Sequence, residues 1–264
     1  MPVDYNATVT LRAELAPGTL ALRVKLDGDA FDFEPGQYTV LGLRRSSPRT
    51  AEAAADSPEL RQKDGEYMIR RAYSITSNSK DNELEFVVTL VRSGDLTPRL
   101  FALKEGSRLH VHPGAQGLFT LGESSGNRDL LLVGTGSALA PYLAMIRSSF
   151  DQTEEIKFVV VHAAATSRDL AFRTQLAELS KLSDRLTYLP TITSPEDDPG
   201  WEGLTGSVVD LLDSDEIEDA VGIPVDPDRF DAFLSGSPEM IDQVTAALKA
   251  RGFEDDDIHA ERYW

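Results

Sequence analysis

Residues 129–146 read DLLLVGTGSALAPYLAMI, and this stretch decides the fold of the second half of the chain. An apolar run leads into the turn Gly134–Ser137 and then into a helical pattern, which is how a parallel sheet covered by helices begins. The glycines let a pyrophosphate approach the backbone, and the start of the helix favours its charge. Leu139 stands where the third glycine of G-x-G-x-x-G would fall, so this motif alone only weakly indicates a dinucleotide site. Pro141 falls in the first helical turn, where proline is tolerated.

The remainder of this half repeats the alternation of apolar strands and helical patterns. Strands are predicted at 157–164, 185–192 and 229–236, with a last short strand within 258–264. Helices are predicted at 168–182, near 207–213 and at 237–252. A further strand–glycine–helix stretch, LSGSPEM (234–240), places Ser237 as a helix cap and Pro238 at the first helical position, and it could equally be a plain β-to-α turn or a loop that faces a ligand. The pattern predicts a doubly wound parallel sheet over residues 126–264.

The apolar residues of the first half follow a different periodicity. Short runs with period two or rich in β-branched residues lie at 9–15, 19–26, 37–43, 67–76, 83–91 and 108–112, separated by turn signals such as Pro17-Gly18. They predict an antiparallel β-barrel or sandwich over residues 1–125. Residues 44–66 form a polar insertion between two strands, for which we expect a mobile loop with a short helix. Residues 122–128 (GESSGNR) are the expected linker.

The composition limits what the protein can do. The chain has 264 residues, no cysteine and a formal net charge of −18. The absence of cysteine excludes disulfides and any iron–sulfur cluster carried on this chain. Such an acidic surface disfavours binding to nucleic acid or anionic membranes and is typical of proteins that work in high salt. Without a membrane-length apolar run or a signal-peptide pattern, we expect a soluble, cytoplasmic protein.

Two stretches of the first half could bind a cofactor. In RRAYSITS (70–77), Arg71 could bind a phosphate and Tyr73 could stack on a flat ring, although an ordinary surface strand is the more probable interpretation from residue types alone. In RSGDLTPRLFALKEG (92–106), Thr97 is predicted as an N-cap and Pro98 as the first helical residue. A helix start of this kind can hold a phosphate, but a capped helix without a ligand is favoured. The four histidines show no metal-binding spacing, and no metal site is predicted.

Taken together, these stretches resemble the bacterial ferredoxin (flavodoxin)–NADP reductase family. Residues 71–74 (RAYS) resemble its Arg-x-Tyr-Ser flavin motif, and Gly134–Ser137 with Pro141 resembles its nicotinamide-binding turn. The likeness extends over nearly the whole chain, from PGQY (35–38) through LTPRL (96–100) to the terminal ERYW (261–264).

The resemblance implies a six-stranded FAD-binding barrel followed by a doubly wound NAD(P)-binding domain. Arg71 would pair with the FAD pyrophosphate, Tyr73 would stack on the isoalloxazine, and Ser74 would lie near flavin N5. Tyr263 would cover the other flavin face, and Trp264 would extend that cover. Further FAD-binding residues that the resemblance implies are Ala72, Val88, Leu96, Thr97, Pro98 and Ser137. The candidate catalytic residues are Tyr73, Ser74, Ser137 and Tyr263.

The second domain would bind NADP(H), and use of NAD(H) is left open. The residues implied are Gly134, Thr135, Gly136, Ser137, Arg168, Arg173, Ser194 and Gly236. Related reductases carry arginines for the 2′-phosphate where this chain has Ala165, Pro195 and Ser207. Arg168 and Arg173 are nearby substitutes, whereas the acids at 196–198 would repel a phosphate.

The implied function is hydride transfer between NADP(H) and flavin N5, with single electrons exchanged with a ferredoxin or flavodoxin. Two alternatives remain open: a reductase of free flavin, an oxygenase or an iron chelate, and a non-enzymatic FAD-binding subunit. Segment 44–71 holds seven bases and five acids, and could dock an acidic electron carrier. A solvated loop without a partner is an equally good interpretation of that segment.

Overall fold

The structure is a computed structural model that describes residues 5–62, 65–123, 128–150 and 156–263. The chain forms two compact units. One consists of Met1–Leu118 with Leu143–Ser148, and the other of Phe119–Tyr142 with Ser149–Trp264. The domain boundary predicted at residues 125/126 and most of the predicted linker lie at or within the undescribed residues 124–127, so both stay predictions.

The first unit is built on an antiparallel sheet. Its strands are β1 (Ala7–Ala16), β2 (Thr19–Leu26), β3 (Tyr38–Arg44), β4 (Met68–Ser74), β5 (Leu84–Thr89) and β6 (Arg108–Val111). They form one six-stranded sheet in the order β4-β3-β6-β1-β2-β5. A bridge between Ile75 and Phe86 joins the two ends of this order and closes the sheet. The predicted antiparallel barrel is confirmed, because the period-two apolar residues of its strands fill one common interior.

Two short helices border this barrel. Helix α1 spans Pro58–Gln62, within the polar insertion, and α2 spans Thr97–Phe101. Leu60 of α1 is 4% exposed and packs into the barrel core, as does the fully buried Leu100 of α2. The insertion therefore contributes its own apolar residue to the core and is fixed to the barrel by it.

The rest of the described chain alternates strands with helices. The elements are β7 (Asp129–Thr135), α3 (Ala140–Ser149), β8 (Phe158–Ala164), α4 (Arg173–Leu182), β9 (Leu186–Ile192), β10 (Leu204–Thr205), α5 (Val208–Asp213), α6 (Glu216–Val221), β11 (Phe230–Gly236), α7 (Pro238–Ala250) and β12 (Ile258–Arg262). The sheet order is β10-β9-β8-β7-β11-β12 and every pair is parallel. All residues of β8 and β11 are buried, so both faces of the sheet are covered, as predicted.

Two local predictions were wrong. The helix predicted from Arg168 begins at Arg173, because Thr166 and Asp169 close a separate 3₁₀ turn and Phe172 adopts a left-handed φ of 62°. Thr97 is the first residue of α2 rather than its N-cap, which is Leu96, and Pro98 is therefore the second helical residue rather than the first. The Thr97 hydroxyl instead bonds the backbone of Val91. In both places a local hydrogen bond between a side chain and the backbone stabilises a conformation other than the predicted one. No helix of the described residues is long and apolar enough to cross a membrane.

Candidate functional site

A cleft of about 670 Å³ opens on the surface of the barrel unit. Its walls come from α1, from β4 and from the turn at residues 93–95. The cleft therefore brings Arg70 and Arg71 of the first candidate stretch beside Gly94 and Asp95 of the second. Two motifs that are separated in the sequence thus line one cavity.

The motif on β4 presents one exposed cation and one half-buried ring. Arg71 is exposed and its Nη1 donates to the Arg70 carbonyl at 2.7 Å. Burial raises the pKa of the Tyr73 phenol well above its usual value, and the positive charge of Arg71 offsets only part of this rise. Tyr73 is therefore a neutral ring at ordinary pH, suited to stacking. Ser74 is buried and Ala72 is exposed.

The turn that follows β5 is fixed by close backbone approaches. The Thr97 hydroxyl accepts from the Val91 N–H at 3.0 Å and donates to its carbonyl at 3.2 Å. A Cβ at Gly94 would lie 3.0 Å from the Val91 carbonyl oxygen, so only glycine fits there without a shift. Leu96 is 2% exposed, and Pro98 and Val88 are also buried. The side chains of Leu96 and Val88 belong to the barrel core, and because all three residues are buried, their backbone atoms are what a ligand could meet.

A buried arginine ties the polar insertion to this turn. Arg99 is 2% exposed and donates to the carbonyl oxygens of Arg45 and Asp95 and to the carboxylate of Asp56. The hydrogen bond from Arg99 lowers the pKa of the Asp56 carboxyl, with help from the charge of Arg49. Arg49 also donates to the Gly94 carbonyl at 3.2 Å. Residues 45–56 therefore buttress one wall of the cleft.

In the α/β unit, the two glycine turns lie side by side at the carboxyl edge of the sheet. Gly134 of β7 pairs with Ser235 of β11, and the turns follow directly. A Cβ at Gly236, whose φ is 156°, would lie 2.9 Å from Thr135 Oγ1. Gly136 has a φ of 55° and open space where a Cβ would stand. Gly134 is buried and residues 135–137 are half-buried, and the open space at Gly136 leaves room for a phosphate beside the backbone of the turn.

One buried tyrosine holds these two strands together. The Tyr142 hydroxyl lies 2.8 Å from the Val133 carbonyl oxygen and 2.7 Å from that of Phe233. Burial raises the pKa of the Tyr142 phenol well above its usual value, so the hydroxyl keeps its proton. Tyr263 lies beside the second turn, where its N–H donates to the Gly236 carbonyl at 2.9 Å. The Tyr263 ring is 37% exposed, and its hydroxyl donates to Glu261 at 2.7 Å. Trp264 lies outside the described residues.

The loops after β8 and β9 meet at the same edge. The Ser167 N–H donates to Asp198 at 2.8 Å, and this bond lowers the pKa of the Asp198 carboxyl together with the charges of Arg168 and Arg173. Ser194 donates from its backbone to the Ala165 carbonyl at 2.9 Å. The loop after β8 is therefore hydrogen-bonded to the Asp198 carboxylate. In dinucleotide-binding βαβ folds, the corresponding region contacts the 2′ position of the nucleotide ribose.

A second cleft of about 490 Å³ lies next to these loops. It is lined by Ser167, Arg173, Lys181, Tyr188 and Trp201, among others. The Arg173 guanidinium stands 4.7 Å above the centre of the Trp201 ring, in cation–π geometry. Arg173 therefore faces this cleft, and Arg168 is not among the residues that line it.

Several of these residues were not singled out from the sequence as functional. Asp56 and Trp201 carried no motif, Arg99 lay within LTPRL (96–100) but was given no role of its own, and His162 was considered only as a metal ligand. His162 is fully buried and bonded on both ring nitrogens within the α/β unit. Among the residues that the structure describes, no group of three or more His, Asp or Glu side chains could hold a metal ion.

Comparison with known proteins identifies one matching domain family and several similar reductases. Residues 132–246 match the family described as an oxidoreductase NAD-binding domain. The chain is 33% identical over 209 residues to a flavodoxin/ferredoxin–NADP reductase of Shigella flexneri, which covers 79% of this chain and 76% of that protein. It is 27% identical to a ferredoxin–NADP reductase of Azotobacter vinelandii, covering 84% of this chain and 80% of that one.

The fold has close structural counterparts. A ferredoxin NADP⁺ reductase from Neisseria gonorrhoeae, solved with bound FAD and NADP, superimposes with a TM-score of 0.80 at 20% identity and covers 98% of each chain. The FAD/NAD-binding domain of a nitric oxide dioxygenase from Vibrio cholerae reaches a TM-score of 0.76 at 17% identity, covering 99% of this chain and 98% of that one. At these identities the likeness establishes the fold.

Proposed function

This chain belongs to the flavodoxin/ferredoxin–NADP reductase family, and from that premise we propose which of its residues carry the reaction. The protein is an FAD-dependent oxidoreductase that exchanges electrons between NADP(H) and a ferredoxin or flavodoxin. The observation that carries this conclusion is 33% identity to such a reductase over 79% of the chain. The fold agrees with this conclusion, because one unit is an antiparallel barrel and the other is a parallel α/β sheet that matches an oxidoreductase NAD-binding domain.

The barrel unit has the features that FAD requires. The cleft beside β4 combines the exposed Arg71 guanidinium with a glycine turn, and a fork of donors beside accessible backbone suits a pyrophosphate. Tyr73 offers a neutral, half-buried ring for the isoalloxazine, and Ser74 a hydroxyl beside it. Bound FAD supplies hydride chemistry at N5 and one-electron chemistry toward the protein partner. The role of Arg71, Tyr73 and Ser74 is to bind and orient that group.

The α/β unit has the features that a dinucleotide requires. The backbone at Gly134–Ser137 would hold the pyrophosphate, and Gly236 keeps the neighbouring turn free of a side chain. Ser137 is half-buried at the end of this turn, and we assign it to the nicotinamide. Tyr263 presents a partly exposed ring and is assigned to cover the flavin. Trp264 is assigned with it, although it lies outside the described residues.

The adenosine end of NADP(H) is assigned to the loop after β8 and the cleft beside it. Arg173 faces that cleft with Ser167 and Trp201, which gives a cation, a backbone donor and an aromatic surface. Asp198 opposes a 2′-phosphate there, since its carboxylate already accepts the Ser167 N–H. We therefore infer that this chain accepts NADPH through Arg173 but discriminates weakly against NADH.

We propose that the basic segment 44–71 forms part of the surface that docks the electron carrier, but that only some of its seven basic residues take part. Arg49 is half-buried and paired with Asp56, so its charge serves the fold. Lys63 lies outside the described residues. Arg44 and Arg61 are exposed and lie outside the cleft assigned to FAD, and their positive charges would attract an acidic carrier.

The docking proposal is tested by reversing these two charges. Arg44→Glu with Arg61→Glu should slow ferredoxin reduction severalfold at low salt and flatten its salt dependence, while ferricyanide reduction stays unchanged. Lys25→Glu, at an exposed site on β2, is the control for a charge reversal on the same unit. Equal rates for the double variant and the wild type at all salt concentrations would exclude this docking site.

The function itself is tested by titration of the purified yellow protein. Anaerobic addition of NADPH should bleach the flavin absorbance, and ferredoxin or flavodoxin should restore it. Repeating the titration with NADH measures the coenzyme preference. A protein that binds no flavin, or whose flavin is reduced by neither nucleotide, would contradict the assignment.

A further inference from the structure

A buried histidine links the core of the α/β unit to its glycine turn. His162 lies on β8, next to Gly134 of β7 in the parallel register. Its Nε2 lies 2.9 Å from the Gly136 carbonyl oxygen, and its Nδ1 lies 2.9 Å from the Tyr188 hydroxyl on β9. Both side chains are at least nine-tenths buried. Three elements that are far apart in sequence therefore meet at one imidazole.

The partners fix which atoms carry protons. A carbonyl oxygen can only accept, so Nε2 of His162 must be the donor to Gly136. Burial lowers the His162 pKa to about 4, so the ring is neutral at ordinary pH and Nδ1 carries no proton. The Tyr188 hydroxyl then donates to Nδ1, and burial keeps that phenol protonated. The result is a directed chain of hydrogen bonds from Tyr188 through His162 to the turn.

The bond to Gly136 orients one peptide group of the turn. In a trans peptide the carbonyl of one residue and the N–H of the next point in opposite directions, and the described chain has no cis peptides. Because the Gly136 carbonyl points inward to His162, the Ser137 N–H points the other way. Gly136 itself has a φ of 55° and no side chain to limit rotation of this peptide group. The imidazole supplies the restraint that glycine lacks.

We propose that His162, supported by Tyr188, is a positioning residue that holds the Gly134–Ser137 turn in the conformation that binds the pyrophosphate–nicotinamide half of the coenzyme. This inference rests on the proposed function. It assigns a role in coenzyme binding to His162, which is fully buried and lines neither cleft, and to the hydroxyl of Tyr188, whose ring also lines the cleft assigned to the adenosine end. The alternative is that the pair only stabilises the core, and the two roles predict different behaviour toward fragments of the coenzyme.

The test compares two ligands on the holoenzyme. NADP⁺ reaches the glycine turn, whereas adenosine 2′,5′-bisphosphate lacks the nicotinamide half and one phosphate of the pyrophosphate. Flavin difference spectra or calorimetry give the dissociation constant of each. His162→Leu removes the donor and should raise the dissociation constant of NADP⁺ about five- to tenfold, since a buried hydrogen bond is worth about 1 to 1.5 kcal/mol. The constant for adenosine 2′,5′-bisphosphate should change less than twofold.

Two further variants separate positioning from stability. His162→Gln can return a donor near the position of Nε2 and should restore NADP⁺ binding to within about threefold of the wild type. Tyr188→Phe removes a single hydroxyl and should have a smaller effect of the same kind. Steady-state kinetics should show the change in KM for NADPH, with kcat nearly preserved.

The outcomes are distinct. Unchanged NADP⁺ binding in His162→Leu, or equal weakening of both ligands, would overturn the proposal. Failure of the glutamine variant to restore binding would do the same. If His162→Leu does not fold, His162→Met, which also lacks a donor, carries the same comparison of the two ligands. If the wild type itself binds neither nucleotide, it is the proposed function that fails rather than this assignment.

Discussion

The backbone N–H of Ser167 donates to the carboxylate of Asp198 at 2.8 Å, so the loop after β8 is already bound to an anion of the chain itself. A 2′-phosphate that approaches this loop would be repelled by the negative charge of Asp198, and the Ser167 N–H, which already donates to Asp198, could not donate to it. Asp198→Asn keeps an acceptor for Ser167 but removes the charge. We expect kcat/KM for NADPH to rise about three- to tenfold, with kcat/KM for NADH unchanged.

The control for this variant is Asp219→Asn, which removes one charge from an exposed site on α6. It should leave the NADPH to NADH ratio at the wild-type value, because the neighbouring Ala220 and Val221 of α6 line a pocket with residues at the amino ends of β7 and β9, at the edge of the sheet opposite the loop after β8. Equal shifts in the ratio for both variants would mean that total charge, and not Asp198, sets the preference. The two variants therefore distinguish a local effect from a general one.

Arg71 should be required for FAD retention. Its exposed guanidinium lines the cleft beside β4, where it would form paired hydrogen bonds with the pyrophosphate. Arg71→Ala should raise the FAD dissociation constant by about two orders of magnitude, and Arg71→Lys should recover only part of it. Arg61→Ala, an exposed arginine of the same unit outside the cleft, is the control. Fluorescence of released flavin measures the constant, and equal retention in all variants would refute the role.

Asp56 should be needed to keep the polar insertion attached. Its carboxylate pairs with Arg99, whose side chain is 2% exposed, so truncation leaves a buried cation without its carboxylate. Asp56→Ala should lower the free energy of unfolding by about 3 kcal/mol. Glu52→Ala breaks the exposed pair with Arg92, which spans 3.8 Å, and should cost well below 1 kcal/mol. Denaturant unfolding would show the difference, and similar costs for both would contradict it.

The same variant also probes the cleft. Arg49 and Arg99 connect Asp56 to the turn at residues 93–95, whose Gly94 and Asp95 carbonyls they hold. Loss of Asp56 should therefore weaken FAD binding as well as stability. An Asp56→Ala protein that is less stable but binds FAD normally would show that the insertion supports only the barrel.

The sequence predicted the barrel strands within a few residues because each strand has one buried face, and alternation is a local signal. β2, for example, spans Thr19–Leu26 as expected. The start of α4 could not be predicted in this way. Phe172 takes a left-handed φ of 62°, and Leu170 packs against Ile192 of the next strand, both set by tertiary packing. Capping and periodicity rules do not include such contacts.

The site was only partly predictable for the same reason. Motifs of adjacent residues, such as 71–74 and Gly134–Ser137, could be recognised in the sequence. His162 could not, because its two partners each lie 26 positions away and are brought to it only by the parallel register of β7, β8 and β9. The one local signal was a histidine within an otherwise apolar strand, which is compatible with many roles.

The neutral state of His162 makes a prediction about stability against pH. Its pKa is lowered from 6.5 in the unfolded chain to about 4 in the folded protein, because burial disfavours the charged ring. Between these values the unfolded state binds more protons, so the free energy of unfolding falls as the pH falls, by about 3 kcal/mol in total. His162→Gln lacks this titration and should lose less stability between pH 7 and pH 4.5 than the wild type. Carboxylates with lowered pKa, such as that of Asp56, titrate in both proteins and cancel in the comparison. Urea unfolding followed by tryptophan fluorescence measures both slopes, and identical slopes would show that His162 is not buried in its neutral form.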